Sequence, residues 1–171
     1  MMRFLELAKK RYSCRSFKEK EVEKERIEKI IEAGLVAPTA KNAQPLKIWV
    51  VNGEAIKKFK EASEIRFETP IYFVVGAKEE EAFVRASDGK NFAEVDASIV
   101  ATHMMLEIEE LDLATVWVGS FNVPNLKKAF PEMEGYELIA VFPVGYASEE
   151  ARPSPRHSEY KAIDEFVEYL K

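Results

Sequence analysis

The chain has 171 residues, 47% hydrophobic and 32% charged, with a formal net charge of −5 and a single cysteine. This is enough apolar residue for one sizeable core, read as a single domain over 1–171, and it excludes a disordered chain. The negative balance argues against a nucleic-acid surface, no run reaches the roughly eighteen apolar residues that cross a bilayer, and a lone cysteine excludes an internal disulfide or a cysteine-rich metal site.

The start, Met1 to Glu6, lacks a signal-peptide profile, so a cytoplasmic location is expected. A short amphipathic helix is predicted over residues 2–10, with Phe4, Leu5 and Ala8 on one side. Its exit is the string RYSCRSF, Arg11 to Phe17. From Lys18 to Arg26 the chain is a mixed Lys/Glu stretch suited to a solvated helix start, and Ile27, Ile30, Ile31 and Leu35 recur at helical spacing over 22–36 until Pro38 ends the helix. Lys47–Val51 reads as a strand bounded by Asn52 and Gly53, followed by a helix over 54–62 and a second strand, Ile71–Val75.

The segment 91–111 is predicted as the longest helix. Its apolar residues, Val95, Ile99, Val100, Met104, Met105, Leu106, Ile108 and Leu111, spread around most of its circumference, so it is expected to be buried on more than one side, in the core or against another subunit. Thr115–Val118 follows as a third strand, 123–130 as a short helix opened by Pro124, and Leu138–Phe142 as a fourth strand. A proline-rich tail leads to a final amphipathic helix carrying Ile163, Phe166, Val167 and Leu170. These elements suit an α+β sandwich, a sheet flanked by helices, and they could also be drawn as a doubly wound parallel sheet. No G-x-G-x-x-G or Walker string supports the second drawing.

Chemistry concentrates in a few places. Arg11, Ser13 and Arg15 occupy alternate positions, which an extended backbone turns to one face, and two guanidinium groups beside a hydroxyl suit a small anionic ligand. Pairing with surface carboxylates is the alternative for either arginine. Cys14 lies between them and reads as a small packed side chain before a reactive thiol. In the string APTAKNAQPL from Ala37 to Leu46, Asn42 and Gln44 supply amides that both donate and accept, though turn chemistry also explains them. Val118, Gly119 and Ser120 end a strand, where a small residue allows either a close ligand or a tight turn. His103 and His157 lack metal-ligand spacing, and no nucleophile motif supports a serine hydrolase.

Four separated blocks, RYSCRSF, APTAKNAQP, LATVWVGSF and VGYASEEARPSPR, together resemble the nitroreductase family of FMN-dependent oxidoreductases along nearly the whole chain. The chain departs from that pattern at Leu46, where an aromatic often stands, and at Ala114 and Ser120, where glycines are common. The resemblance implies a nitroreductase-like sandwich with a central, mostly antiparallel sheet, an intertwined homodimer, FMN as cofactor and NADH or NADPH as electron donor. It implies hydride transfer to flavin and onward transfer to a nitroaromatic, a quinone or a related small acceptor, with no catalytic side chain because the flavin carries the chemistry.

Residue by residue, it implies that Arg11 and Arg156 meet the phosphate and that Ser13 reaches the ribityl or phosphate end. Arg15 would lie near the ring edge where reduced flavin gathers negative charge. Pro38, Thr39 and Ala40 would approach from the other subunit, with Asn42 and Gln44 toward the ring. Gly119, between Val118 and Ser120, would offer its backbone N–H to flavin N(5), and Lys90 after Asp88 and Gly89 would add a second cation. Related alternatives are a reductive dehalogenase or flavin-fragmenting enzyme on the same fold, or an FMN-binding protein without turnover.

Overall fold

The computed structural model describes residues 3–170. Met2, which opens the predicted helix 2–10, lies outside them, as do Met1 and Lys171. The first helix, α1, runs Phe4–Lys10, and α2 runs Lys24–Leu35. Then come β1 Leu46–Asn52, α3 Ala55–Ser63, β2 Ile71–Ala77, α4 Ala93–Glu110, β3 Ala114–Thr115, α5 Val123–Ala129, β4 Glu137–Gly145 and α6 Ile163–Phe166.

The four strands form one sheet in the order β1-β2-β4-β3. Every neighbouring pair is antiparallel, which gives the α+β architecture and excludes the doubly wound parallel alternative. Alternation along the strands explains the layers. Ile71, Phe73, Val75 and Ala77 of β2, with Ala140, Phe142 and Val144 of β4, pack on α2 and α4. Tyr72, Val74 and Val141 turn to the opposite face and meet Phe59 of α3 and Leu126 of α5. Every residue of β2 is therefore buried, and a run of consecutive apolar residues is what a central strand covered on both faces requires. Burying one such side chain as Phe73 stabilises the fold by about 1.5–3 kcal/mol.

Local chemistry sets the element ends. The Asn122 side chain accepts the Asn125 N–H at 3.0 Å and Pro124 occupies the first turn, so α5 starts where a cap and a preset φ coincide. Between Val75 and Gly76 the register of β2 on β4 slips by one residue. A Cβ on Gly76 would lie 2.9 Å from the Glu137 carbonyl oxygen, so this bulge admits only glycine without displacement.

Two predicted elements are corrected. The third strand, expected over Thr115–Val118, is regular only at Ala114–Thr115 and resumes as a single bridge between Val118 and Val141. Both pieces share one register on β4, and the gap faces Pro143, which has no N–H to give to the ladder. The final amphipathic helix is a single turn. Ile163, Phe166 and Leu170 are 76%, 80% and 90% exposed, so among the described residues nothing covers their apolar side.

Candidate functional site

Arg11 ends α1, its N–H bonded to the Leu7 carbonyl at 3.0 Å, and the chain then runs beside β3. Ser13 bridges Thr115 in parallel, the Cys14 N–H donates to the Thr115 carbonyl at 2.9 Å, and Phe17 pairs with Ala147 just beyond β4. Arg11 and Ser13 are half-buried, and among the described residues no carboxylate or carbonyl pairs with the Arg11 guanidinium. Arg15 is exposed and its Nη1 donates to the Ser13 carbonyl at 3.2 Å. Cys14 is buried with its Sγ 3.2 Å from the Ser16 carbonyl, a packed side chain as expected. Burial, followed by the neighbouring Cys14, pushes the Tyr12 phenol up.

Arg156 lies in a single turn, Pro155–Ser158, opened by the Ser154 hydroxyl, which accepts the Arg156 N–H at 3.3 Å. The next residue, His157, fixes that turn against the start of the chain. Its Nε2 lies 3.0 Å from the Lys9 carbonyl oxygen and its ring meets Tyr12 edge-on, with centroids 6.4 Å apart. The fold thus brings the Arg156 turn beside the Arg11 string. The Arg156 side chain is 86% exposed and pairs with Glu159 at 3.5 Å.

The loop from Pro38 to Gln44 has unusual backbone. Lys41, Asn42 and Gln44 all have positive φ, of 53°, 54° and 50°. Asparagine tolerates this region, but lysine and glutamine adopt it at a cost and persist there only when neighbours hold them. The Thr39 hydroxyl accepts the Gln44 N–H at 3.1 Å, the Thr39 carbonyl accepts the Asn42 N–H at 2.9 Å, and a carboxylate oxygen of Asp96 accepts the Ala40 N–H at 2.9 Å. Thr39 and Ala40 are half-buried, whereas Pro38, Asn42 and Gln44 are exposed.

Lys41 sits 4.7 Å from the centre of the Phe83 ring, and Phe83 packs on Phe92 at 5.4 Å. This joins the loop to the hairpin closed by Val84 and Asn91, with exposed Lys90 beside that closing pair. Arg85 pairs with Asp88 there and holds its carboxyl below the usual range. Lys90 also lines an open cavity of about 580 Å³ along α4, with Val95, Ile99 and His103.

Val118 exchanges both backbone hydrogen bonds with Val141 at 3.0 Å, and the chain then leaves the sheet. Gly119 and Ser120 are exposed, and among the described residues the Gly119 N–H has no acceptor. A Cβ at Gly119 would meet nothing nearer than Trp117 Nε1, at 3.9 Å, so there is room beside this residue on its Cβ side.

The candidate residues therefore fall into two groups. Arg11, Ser13, Arg15, Arg156 and the Val118–Ser120 turn lie along the β3 side of the sheet, and Pro38–Gln44 leads into β1 at the opposite edge, joined there by Lys90. Three inter-strand spacings of about 4.8 Å, roughly 14 Å, separate those edges. Among the described residues no group of three or more His, Cys, Asp or Glu side chains could hold a metal, and no helix is long and apolar enough to cross a membrane. Two residues escaped the sequence reading: Asp96, hidden among the apolar residues of α4, and His157, seen only as a histidine without metal spacing. An acid one turn before Val100, on the face of α4 that also carries Met104 and Ile108, is the signal that could have found the first.

The profile of the Nitroreductase family matches residues 8–70 and 62–146, and the chain belongs to that family. A relative from Archaeoglobus fulgidus, provisionally named an NADH dehydrogenase/NAD(P)H nitroreductase, is 30% identical over 167 residues, covering 91% of this chain and 88% of its own. The crystal structure of a nitroreductase family protein from Clostridium difficile 630 superposes with a TM-score of 0.90 at 37% identity, covering 99% of both chains. An FMN-dependent nitroreductase from Clostridium difficile R20291 shares the fold at 24% identity, with a TM-score of 0.78 over 98% of this chain and 99% of its own.

Proposed function

We propose that this chain is an FMN-dependent NAD(P)H oxidoreductase, a one-domain protomer of a cytoplasmic homodimer, that reduces a nitroaromatic, quinone or related small acceptor. The observation that carries the reading is the division of the candidate residues between opposite edges of one sheet, in a chain of this family. One chain offers cations at one edge and a strained amide-bearing loop at the other, so two copies complete each site.

The residues present fit FMN. Arg11 is a half-buried residue whose guanidinium has no partner among the described residues, suited to a phosphate, and the Arg156 turn is fastened beside it. Ser13 adds a hydroxyl on the same string. The Gly119 N–H is a donor without an acceptor among the described residues, with room at its Cβ position, and Asn42 and Gln44 of the second copy bring side chains that match the mixed donor and acceptor edge of the flavin ring. When bound, FMN supplies two-electron transfer between reduced nicotinamide and acceptor.

The work of the protein is positioning and electrostatics. Arg11 and Arg156 neutralise the phosphate, Arg15 places positive charge beside the ring, and the Gly119 amide fixes the ring without a titrating group. No general acid or base is needed from a side chain.

The second copy also accounts for the apolar surface. Phe4, Leu5, Leu35 and Val36 are exposed, and a groove of about 840 Å³ runs between α1, α2 and α4, lined by Leu7, Val36 and Leu106. The open side of α4 continues it. With the uncovered tail, this is more apolar surface than a lone protomer of this size normally leaves in water. The test is to identify flavin released by heat and to measure mass by light scattering. The reading expects FMN, one per chain, and a dimer. FAD, no flavin after reconstitution with FMN, or a flavin-loaded monomer would overturn it.

A further inference from the structure

We propose that Asp96 is the positioning residue of the flavin site: from inside α4 it sets the left-handed turn that carries Asn42 and Gln44, an inference that rests on the FMN reading above. Asp96 is 1% exposed, in a helix whose other buried residues are mostly alanine, valine, methionine and isoleucine. One of its oxygens, Oδ1, takes the Ala40 N–H at 2.9 Å, and the other, Oδ2, is buried with no partner. A buried carboxylate oxygen left unpaired is costly, and an apolar residue of similar size would avoid that cost. What the acid does here that an apolar residue would not is hold Ala40.

The tether acts at one particular point. Ala40 directly precedes Lys41 and Asn42, the first two residues with positive φ, and Gln44 follows with a third. Left to local preference, a non-glycine chain relaxes to negative φ, which would turn the amide side chains of residues 42 and 44 elsewhere. Lys41 lies over the Phe83 ring of the neighbouring hairpin, and the remaining hydrogen bonds of the turn, from the Thr39 hydroxyl and carbonyl, lie within the loop itself and do not fix it to the helices and sheet. Asp96 does, because α4 packs against the sheet through Val100, Met104 and Ile108. It touches neither cofactor nor substrate in this arrangement and acts through the loop.

The test compares Asp96→Asn, which keeps an oxygen for the Ala40 N–H, with Asp96→Leu, which fills the space and removes the acceptor. FMN titration, the visible flavin spectrum and thermal melting are recorded on full-length protein. The asparagine variant should bind FMN within about threefold of the parent with an unchanged spectrum, and the leucine variant should bind roughly tenfold or more weakly, with a shifted spectrum, as when a hydrogen bond to a charged group is lost. A leucine variant with parental affinity and spectrum, or an asparagine variant as weak as leucine, would overturn the proposal.

Should the leucine variant not fold, hydrogen exchange of the parent decides. The segment 38–45 should stay protected in flavin-free protein, and free exchange that stops only on adding FMN would show that the cofactor sets the turn. A parent that binds no FMN would overturn the functional reading and this inference together, a result distinct from a difference among variants.

Discussion

The Nε2 of His157 lies 3.0 Å from the Lys9 carbonyl oxygen, which ties a turn near the end of the chain to the last turn of its first helix. Arg156 and Arg11 are the neighbours of this contact in sequence, so one hydrogen bond brings two separated cations to the same side of the sheet. Arg11→Ala should weaken FMN binding by about 1.5–3 kcal/mol if it carries a charge-assisted bond to phosphate. Arg156→Ala should cost less, because that side chain is exposed and must leave Glu159, and His157→Ala should resemble Arg156→Ala. Titration with FMN measures all three, and a His157 variant with parental affinity would show that the turn is placed by other contacts.

Gly119 lies where the chain leaves its bridge with Val141, with an N–H that has no acceptor among the described residues and space at its Cβ position. Alanine keeps the donor and fits that space, whereas proline removes it. Gly119→Pro should slow flavin reduction at least about tenfold relative to Gly119→Ala in folded, flavin-loaded protein, the effect of one lost oriented donor. Equal reduction rates in rapid mixing would deny that amide a role.

Arg15 is exposed and, among the described residues, its side chain bonds only to the Ser13 carbonyl, so its contribution is charge. Arg15→Ala should lower the flavin midpoint potential, by about 30 mV for each tenfold loss of preference for the reduced cofactor, with a smaller change in FMN affinity. Spectroelectrochemical titration checks this. An unchanged potential would place Arg15 away from the ring.

Glu107 lines the apolar groove, and burial holds its carboxyl above the ordinary glutamate range, with Glu110 and Glu32 adding to the shift and Lys29 opposing it. A group that holds its proton more tightly when folded makes the protein less stable as pH rises from the unfolded value through the folded one, and the cost persists above that window. Glu107→Gln should therefore melt higher than the parent at neutral pH, and the two curves should converge in acid. Parallel curves would mean that Glu107 does not titrate differently on folding.

Much of the fold was legible because periodicity reports burial. The alternating and continuous apolar runs gave β1, β2 and β4, and Ile27, Ile30 and Ile31 gave α2. Failures came where a distant partner decides the outcome. Pro143 interrupts β3 from the neighbouring strand, which no local reading of Thr115–Val118 could foresee. The apolar pattern from Ile163 to Leu170 promised a helix, yet four residues without a surface in their own chain form only one turn. In the candidate site, residue types pointed to Arg11, Asn42, Gln44 and Gly119, whereas their supports, Asp96 and His157, act through hydrogen bonds between residues 56 and 148 apart in sequence. The left-handed backbone at Lys41 and Gln44 was equally hidden, since neither residue type signals it.

The central claim is that this chain moves electrons from reduced nicotinamide through bound FMN to a small acceptor. Anaerobic rapid mixing of FMN-loaded protein with NADH or NADPH tests it directly. The oxidised flavin's visible absorbance should be lost within about a second or less at typical enzyme turnover, and should return when a quinone or nitroaromatic is added. Flavin that stays oxidised with both donors would contradict it and leave the chain as an FMN carrier.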